Sequence, residues 1–149
     1  EGGNITASAE YNIYADPHAA AIVFASGLPI VALGLDATHK IRTTPTRMAR
    51  LRASAKARVL VELLDFAEQV ERDHAGREGA PLHDPSVIAY LMAPELFVTR
   101  PCTIQVETAS PLTLGHTAIE YRGAASSSLR WAVDADAQGV FDLITTRLA

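Results

Sequence analysis

The run Pro29-Ile30-Val31-Ala32-Leu33-Gly34-Leu35 constrains this chain more than any other segment. It is short, continuously apolar and bounded by proline and glycine, with no alternation that would leave one face polar. Such a run fits a strand covered on both faces, as in a parallel sheet. Helical segments surround it. Asp16-Pro17 reads as a helix opening, because aspartate accepts from the first free N–H groups and proline suits the first helical position. Ala20, Val23 and Phe24 follow at helical spacing, with Gly27 as the stop. Thr44-Pro45 opens a second helical stretch to about Ala53. Lys56 to about Asp73 carries Val59, Leu60, Leu63, Leu64, Ala67 and Val70 as an inward stripe, with Glu62, Glu68, Glu71 and Arg72 outside it. Asp84-Pro85 opens a further helix that ends before Pro94.

After Pro101 the pattern changes to alternation. Thr103–Glu107 and Thr117–Tyr121 read as strands and Trp131–Val133 as a short one. Asp136 to Leu148 closes the chain as a helix with Val140, Phe141, Leu143, Ile144 and Leu148 inward. The expected class is α/β: an open, mostly parallel or mixed sheet flanked by helices, in a single domain over 1–149. The mean hydropathy of +0.11 is high for a small acidic domain. With the doubly covered strand, it predicts that part of the sheet belongs to another segment or chain.

Composition narrows the function. Hydrophobic residues make up 48% and charged residues 20%, which excludes a disordered or low-complexity chain. Thirteen Lys+Arg stand against 17 Asp+Glu, and the only basic cluster, Arg42 to Arg58, reads as a helical surface. That balance argues against nucleic acid as a partner. No apolar run reaches the ~20 residues needed to cross a bilayer, and no charged-then-apolar leader opens the chain. A membrane partner is therefore not expected, and the expected location is cytoplasmic. Cys102 is the only cysteine, so neither an intrachain disulfide nor a cysteine-rich metal site is available. The opening Glu1-Gly2-Gly3-Asn4 has no Met and leads straight into patterned residues, which reads as an entry partway through a longer protein.

Three groups of residues carry candidate chemistry. Asp84 reads structurally as the N-cap before Pro85, and functionally as a ligand for a hard cation with His83 as a proton donor beside it. One carboxylate oxygen can cap while the other binds metal, but calcium takes ~6–8 oxygens, so further ligands are required. In an extended segment Glu10 and Asn12 point the same way with Tyr11 opposite, offering acceptors and donors to sugar hydroxyls; the alternative is a solvated strand edge. Asp36, Thr38 and His39 follow the apolar strand at its carboxyl end, where α/β folds place ligands, although turn and capping chemistry is the favoured reading. His18, His74 and His116 read as helix-surface, loop and strand residues without metal spacing. No nucleotide glycine fingerprint, phosphate loop or nucleophile elbow occurs.

Gly3-Asn4, Ala9-Glu10-Tyr11-Asn12-Ile13-Tyr14, Asp16-Pro17, Ser26-Gly27-Leu28-Pro29, Gly34-Leu35-Asp36-Ala37-Thr38-His39 and Leu82-His83-Asp84-Pro85 occur in one order. As an ordered set they resemble the C-terminal half of the inosine–uridine-type nucleoside hydrolases, over essentially the whole chain and more weakly after Pro111. The resemblance implies cleavage of the N-glycosidic bond of a ribonucleoside by water, with one Ca²⁺, in purine and pyrimidine salvage. It implies that Asp84 is a metal ligand, that Asn4, Glu10 and Asn12 hold ribose hydroxyls, and that His83 helps protonate the departing base. The family's aspartate-rich N-terminal motif, of the form DTDPGxDD, does not occur between Glu1 and Ala149. The family's usual Thr-Arg-Gly is Thr113-Leu114-Gly115 here, and Leu129-Arg130-Trp131 stands where an Asn is common. The expectation is thus a catalytic half-site, inactive alone and completed by a missing N-terminal half, in a protein whose relatives form homo-oligomers. The alternative is a non-catalytic nucleoside- or ribose-binding module, or a subunit completed by a separate chain.

Overall fold

The computed structural model describes residues 2–76 and 78–148, without the side chains of His74 and Ala75. Two compact units divide the chain, Glu1–Asp36 with Val98–Val133, and Ala37–Phe97 with Asp134–Ala149.

The first unit opens with α1 (Tyr11–Ala15) and α2 (Pro17–Phe24). Asp16 caps α2 as its sequence predicts, its carboxylate accepting from the Ala19 N–H at 2.9 Å. β1 (Ile30–Ala32) runs parallel to β5 (Leu129–Ala135), with Ile30 beside Leu129 and Ala32 beside Trp131. β2 (Phe97–Pro101) completes a sheet of order β1-β5-β2. β3 (Thr103–Val106) and β4 (Thr117–Glu120) pair separately and antiparallel, Ile104 opposite Ile119. The class is α/β with mixed strand pairing, as expected. Cys102, Ile104, Leu129 and Trp131 form the buried core of this unit, with Phe24, Ile30, Ile119 and Tyr121 packed around it. α2 lies against β3.

Three expectations are corrected here. The apolar run supplies only three strand residues, and these are half-buried, not covered on both faces. β1 stands at the edge of its sheet, so among the described residues only one of its sides has a strand beside it. The run breaks at Gly34, where a Cβ would stand 2.0 Å from Cζ2 of Trp131, and the chain turns into α3 (Leu35–Thr38). Second, β2 was not expected, because Pro94 and Pro101 bracket it and read as punctuation. Its neighbour in the sheet secures it: the Arg130 guanidinium donates to the Thr99 hydroxyl at 2.8 Å and carbonyl at 2.9 Å. Third, the strand expected at Trp131–Val133 is longer, running from Leu129 to Ala135.

The second unit is helical: α4 (Pro45–Arg52), a 3₁₀ turn at Ala55–Ala57, α5 (Arg58–Ala75), α6 (Asp84–Met92), a second 3₁₀ turn at Pro94–Leu96, and α7 (Ala137–Arg147). Thr44 and Asp136 cap α4 and α7 through the amides of Arg47 and Gly139, at 3.3 and 3.0 Å. α4 packs on α5 and α7, and α6 on α7. Met48, Leu51, Val61, Leu64, Val140 and Phe141 are buried. The predicted stripe on α5 divides. Of its residues only Leu64 is buried, Leu60 and Ala67 are half-buried, and Val59, Leu63 and Val70 are exposed; the inner face is completed by Val61, outside the predicted stripe, and by Ala57 of the preceding 3₁₀ turn. The backbone of His74, expected in a loop, falls in α5. Four of the five arginines of the basic cluster are ion-paired, Arg42 with Glu71, Arg50 with Asp142, Arg52 with Asp65 and Arg58 with Glu62, while Arg47 donates to the Arg42 carbonyl at 2.6 Å and to the Gln138 side chain at 3.3 Å. No helix of the described residues is long and apolar enough to cross a membrane.

Candidate functional site

In the first unit, Asn4, Glu10 and Asn12 meet at the start of α1. Glu10 is the N-cap, with extended backbone (φ −78°, ψ 147°), and one carboxylate oxygen accepts from the amides of Asn12 at 2.9 Å and Ile13 at 3.2 Å. Its other oxygen accepts from the Asn12 side-chain amide at 3.2 Å. The Asn4 side-chain carbonyl accepts from the Tyr11 N–H at 2.9 Å. The extended segment expected over Glu10–Asn12 is therefore a helix start. A five-residue helix has little stability of its own, and two side chains satisfying its free N–H groups hold it. The loop before it is tight: the backbone amides of Asn4 and Ile5 both donate to the Ala9 carbonyl, at 3.1 and 3.3 Å. Gly3 is obligatory in that loop, since a Cβ there would come within 2.1 Å of the Ala9 carbonyl oxygen.

The remaining hydrogen-bonding capacity is specific. A carboxylate has about four acceptor sites, of which Glu10 uses three. Asn4 keeps its amide N–H groups, and Asn12 keeps its carbonyl and one N–H. Asn4 and Asn12 are exposed, and Glu10 is half-buried. A fixed carboxylate bonded to the Asn12 amide, with the Asn4 amide at the same helix start, offers both donors and acceptors of the kind that sugar hydroxyls take.

In the second unit, the His83 ring meets a hydroxyl distant in sequence. Its Nδ1 lies 2.9 Å from Oγ1 of Thr38, which is buried, and the His39 ring centroid is 5.7 Å from its own. Thr38, read from sequence as turn or capping chemistry, is thus a partner of His83. Nothing local in the sequence announces this contact. Asp84 is the first residue of α6, and His83 occupies the N-cap position without a side-chain cap bond. This corrects the N-cap expected at Asp84. The helix begins one residue earlier because Ser86 binds back to the preceding turn, its amide donating to His83 O at 3.2 Å and its hydroxyl to Leu82 O. Relieved of capping, the Asp84 carboxylate is exposed and makes no hydrogen bond or ion pair with the described residues.

Asp36 has a structural partner, its carboxylate accepting from the Trp131 indole N–H at 2.9 Å. His116, at an isolated bridge to Ala9, has its Nδ1 3.2 Å from the Ser8 carbonyl. A surface groove lined by Arg42, Thr44, Met48, Arg52, Glu68 and Arg72 contains none of the expected site residues. Among the described residues no group of three or more His, Cys, Asp and Glu is placed to hold a metal ion.

Comparison with known proteins gives one consistent result. The family described as inosine-uridine preferring nucleoside hydrolase matches residues 1–142. The pyrimidine-specific ribonucleoside hydrolase RihA of Photobacterium profundum is 44% identical over 154 residues, covering 100% of this chain and 50% of the relative. RihA of an Enterobacter species is 45% identical over 152 residues, covering 99% of this chain and 49% of the relative. The matched part is the C-terminal one, and the chain spans about half the length of these relatives. Among solved structures, the purine-preferring ribonucleoside hydrolase from Gardnerella vaginalis superposes with a TM-score of 0.84 at 30% identity, over 99% of this chain and 48% of that one. The plant nucleoside hydrolase PpNRh1 gives 0.87 at 25% identity, over 99% and 49%.

Proposed function

Because the chain belongs to the inosine-uridine preferring nucleoside hydrolase family, we propose that it is the sugar-holding share of an enzyme that hydrolyses the N-glycosidic bond of a ribonucleoside. The network of Asn4, Glu10 and Asn12 carries the proposal, since it fixes a carboxylate and two amides with unused donors and acceptors at one place.

In this reaction a water oxygen forms the new bond to C1′ as the C1′–N bond breaks. The bonding pair leaves on the base, which takes up a proton, and the water loses one. Positive charge develops on the ribose in the transition state. Glu10, with Asn4 and Asn12, holds the ribose hydroxyls, and its negative charge favours that developing cation. His83 delivers the proton to the base from Nε2 while its Nδ1 stays hydrogen-bonded to the Thr38 hydroxyl. Asp84 contributes one ligand to a Ca²⁺ whose other ligands come from the complementary half. The acceptor for the water proton also belongs to that half. The names of the curated relatives favour a pyrimidine ribonucleoside as substrate, and nucleoside salvage in the cytoplasm belongs to the same proposal.

The test compares two proteins: this chain alone, and this chain joined behind the N-terminal half of the Photobacterium profundum relative. Release of base and ribose from uridine, cytidine and inosine is followed for both. The joined chain is expected to hydrolyse a ribonucleoside and the 149-residue chain to do so negligibly. Turnover by the shorter chain equal to that of the joined one overturns the half-site. Ribose binding by the shorter chain, with an inactive joined chain, establishes a binding module instead.

A further inference from the structure

We propose that the outward face of α5 is a self-pairing surface, on which α5 of a second copy of this chain lies antiparallel. The inference rests on α5 and the turn that leads into it, and is independent of the chemistry proposed above.

Ala57, Val61 and Leu64 turn inward, and a second apolar line runs along the other side of the helix. Val59, Leu63, Phe66 and Val70 are 68%, 63%, 71% and 39% exposed. Their spacing of 4, 3 and 4 residues is that of a coiled-coil seam, which sets all four on one narrow line. Contiguous apolar surface of this kind marks an interface.

The occupant follows from the order of residues along the line. Lys56, in the preceding 3₁₀ turn, and Asp73, in the last turns of α5, are exposed, oppositely charged and in register with the seam. The Gln69 side-chain amide donates to both Asp73 carboxylate oxygens, at 2.8 and 2.9 Å, and holds that charge at its end of the line. Lys56 and Asp73, Val59 and Val70, and Leu63 and Phe66 each lie equally far on either side of the peptide bond between Leu64 and Asp65. An antiparallel copy related by a two-fold axis at that bond therefore sets Lys56 against Asp73, Val59 against Val70 and Leu63 against Phe66. Every contact then occurs twice, as a two-fold interface requires. A parallel copy would set Lys56 against Lys56 and Asp73 against Asp73, where like charges repel. A partner of unrelated sequence would not call for such symmetry. The face is thus complementary, in shape of pattern and in charge, to itself.

Sedimentation equilibrium, run on the 149-residue chain and on the joined chain described above, tests this without reference to activity. Both are expected to form dimers that Phe66→Glu weakens at least about tenfold. Leu63→Glu is the second variant, and the silence of buried Cys102 toward a thiol reagent reports that each variant is folded. Lys56→Glu and Asp73→Lys are each expected to weaken the dimer about fivefold, since two pairs are lost per dimer, and the two together to restore it. Orientation is read by oxidising a mixture of Val59→Cys and Val70→Cys proteins. The disulfide is expected between unlike variants. Monomers in both proteins up to about 100 μM overturn the inference, as does a dimer indifferent to Phe66→Glu and Leu63→Glu. Disulfides between like variants, or no rescue by the charge swap, overturn the antiparallel arrangement. A dimer of the short chain that the joined chain has lost gives the face to the complementary half and equally overturns the inference.

Discussion

Nδ1 of His83 lies 2.9 Å from the hydroxyl of Thr38, a residue 45 positions earlier that is almost fully buried. The rest of the fold fixes Thr38, and Thr38 in turn fixes one nitrogen of the ring. A buried hydroxyl aimed at one ring nitrogen selects a tautomer and an orientation for the other. Thr38→Val is expected to lower stability by about 1 kcal/mol in urea denaturation. It should also mix the tautomers of His83, seen as averaged ring ¹⁵N shifts. Thr38→Ser keeps the hydroxyl and should keep the single tautomer. Unchanged shifts in Thr38→Val would show that the contact does not position the ring.

Gly34 is required by Trp131. A Cβ at position 34 would meet the indole at 2.0 Å, and that indole also donates to Asp36. Gly34→Ala should therefore cost about 1–3 kcal/mol by overpacking. It should also shift the fluorescence of the chain's single tryptophan. Trp131→Leu loses packing itself but should make Gly34→Ala nearly neutral in that background. Additive losses would place the clash elsewhere.

The structure also predicts an acid limb. Hydrogen bonds from the Arg122 guanidinium hold the Glu120 carboxyl at about 2, well below the usual carboxylate range. Glu107 is lowered by the amides of Ser110 and Ala109, which donate to it. Both groups bind protons more weakly in the folded state, so their contribution is present above the ordinary glutamate value and is lost as pH falls through the folded value. For Glu120 that window runs from 4.5 down to about 2. Both groups are solvated, so the effect on stability is small and salt weakens it. Carboxylate NMR should show Glu120 titrating near 2 and returning toward 4.5 in Arg122→Gln. An unchanged titration in that variant would remove the assigned cause.

How much of this was legible in the sequence depended on range. Asp16, Thr44 and Asp136 cap helices through amides three residues on, and chemistry that local is written in adjacent letters. Asp84-Pro85 has the same letters but a different outcome, because Ser86 shifts the helix start by one residue. The participants at α1 were legible and their conformation was not. Alternation made Glu10 and Asn12 neighbours on a strand, whereas Glu10 captures the amides of Asn12 and Ile13 and starts a helix. The Thr38–His83 contact, the loss of β1 after Ala32 and the division of the α5 stripe depend on which side chains meet across long separations. Periodicity gives a helix its apolar faces without stating which one is covered.

Cys102 is fully buried in the core of the first unit, and burial pushes its thiol up, with Arg130 opposing. It should remain protonated and resist a thiol reagent at neutral pH until the chain unfolds. Its modification rate should follow the unfolding equilibrium as urea is raised. Fast labelling in the absence of urea would contradict the packing of that core.

The half-site is tested most directly by the ion it is proposed to share. Calcium binding is measured by titration calorimetry for the 149-residue chain, for the chain joined to the N-terminal half of its Photobacterium profundum relative, and for the joined chain carrying Asp84→Asn. One ion is expected to bind the joined chain, with affinity reduced about a hundredfold or more by Asp84→Asn, and none to bind the short chain at the same concentrations. Tight binding of one calcium by the short chain alone, abolished by Asp84→Asn, would show a complete site within these residues and contradict the division of the active centre.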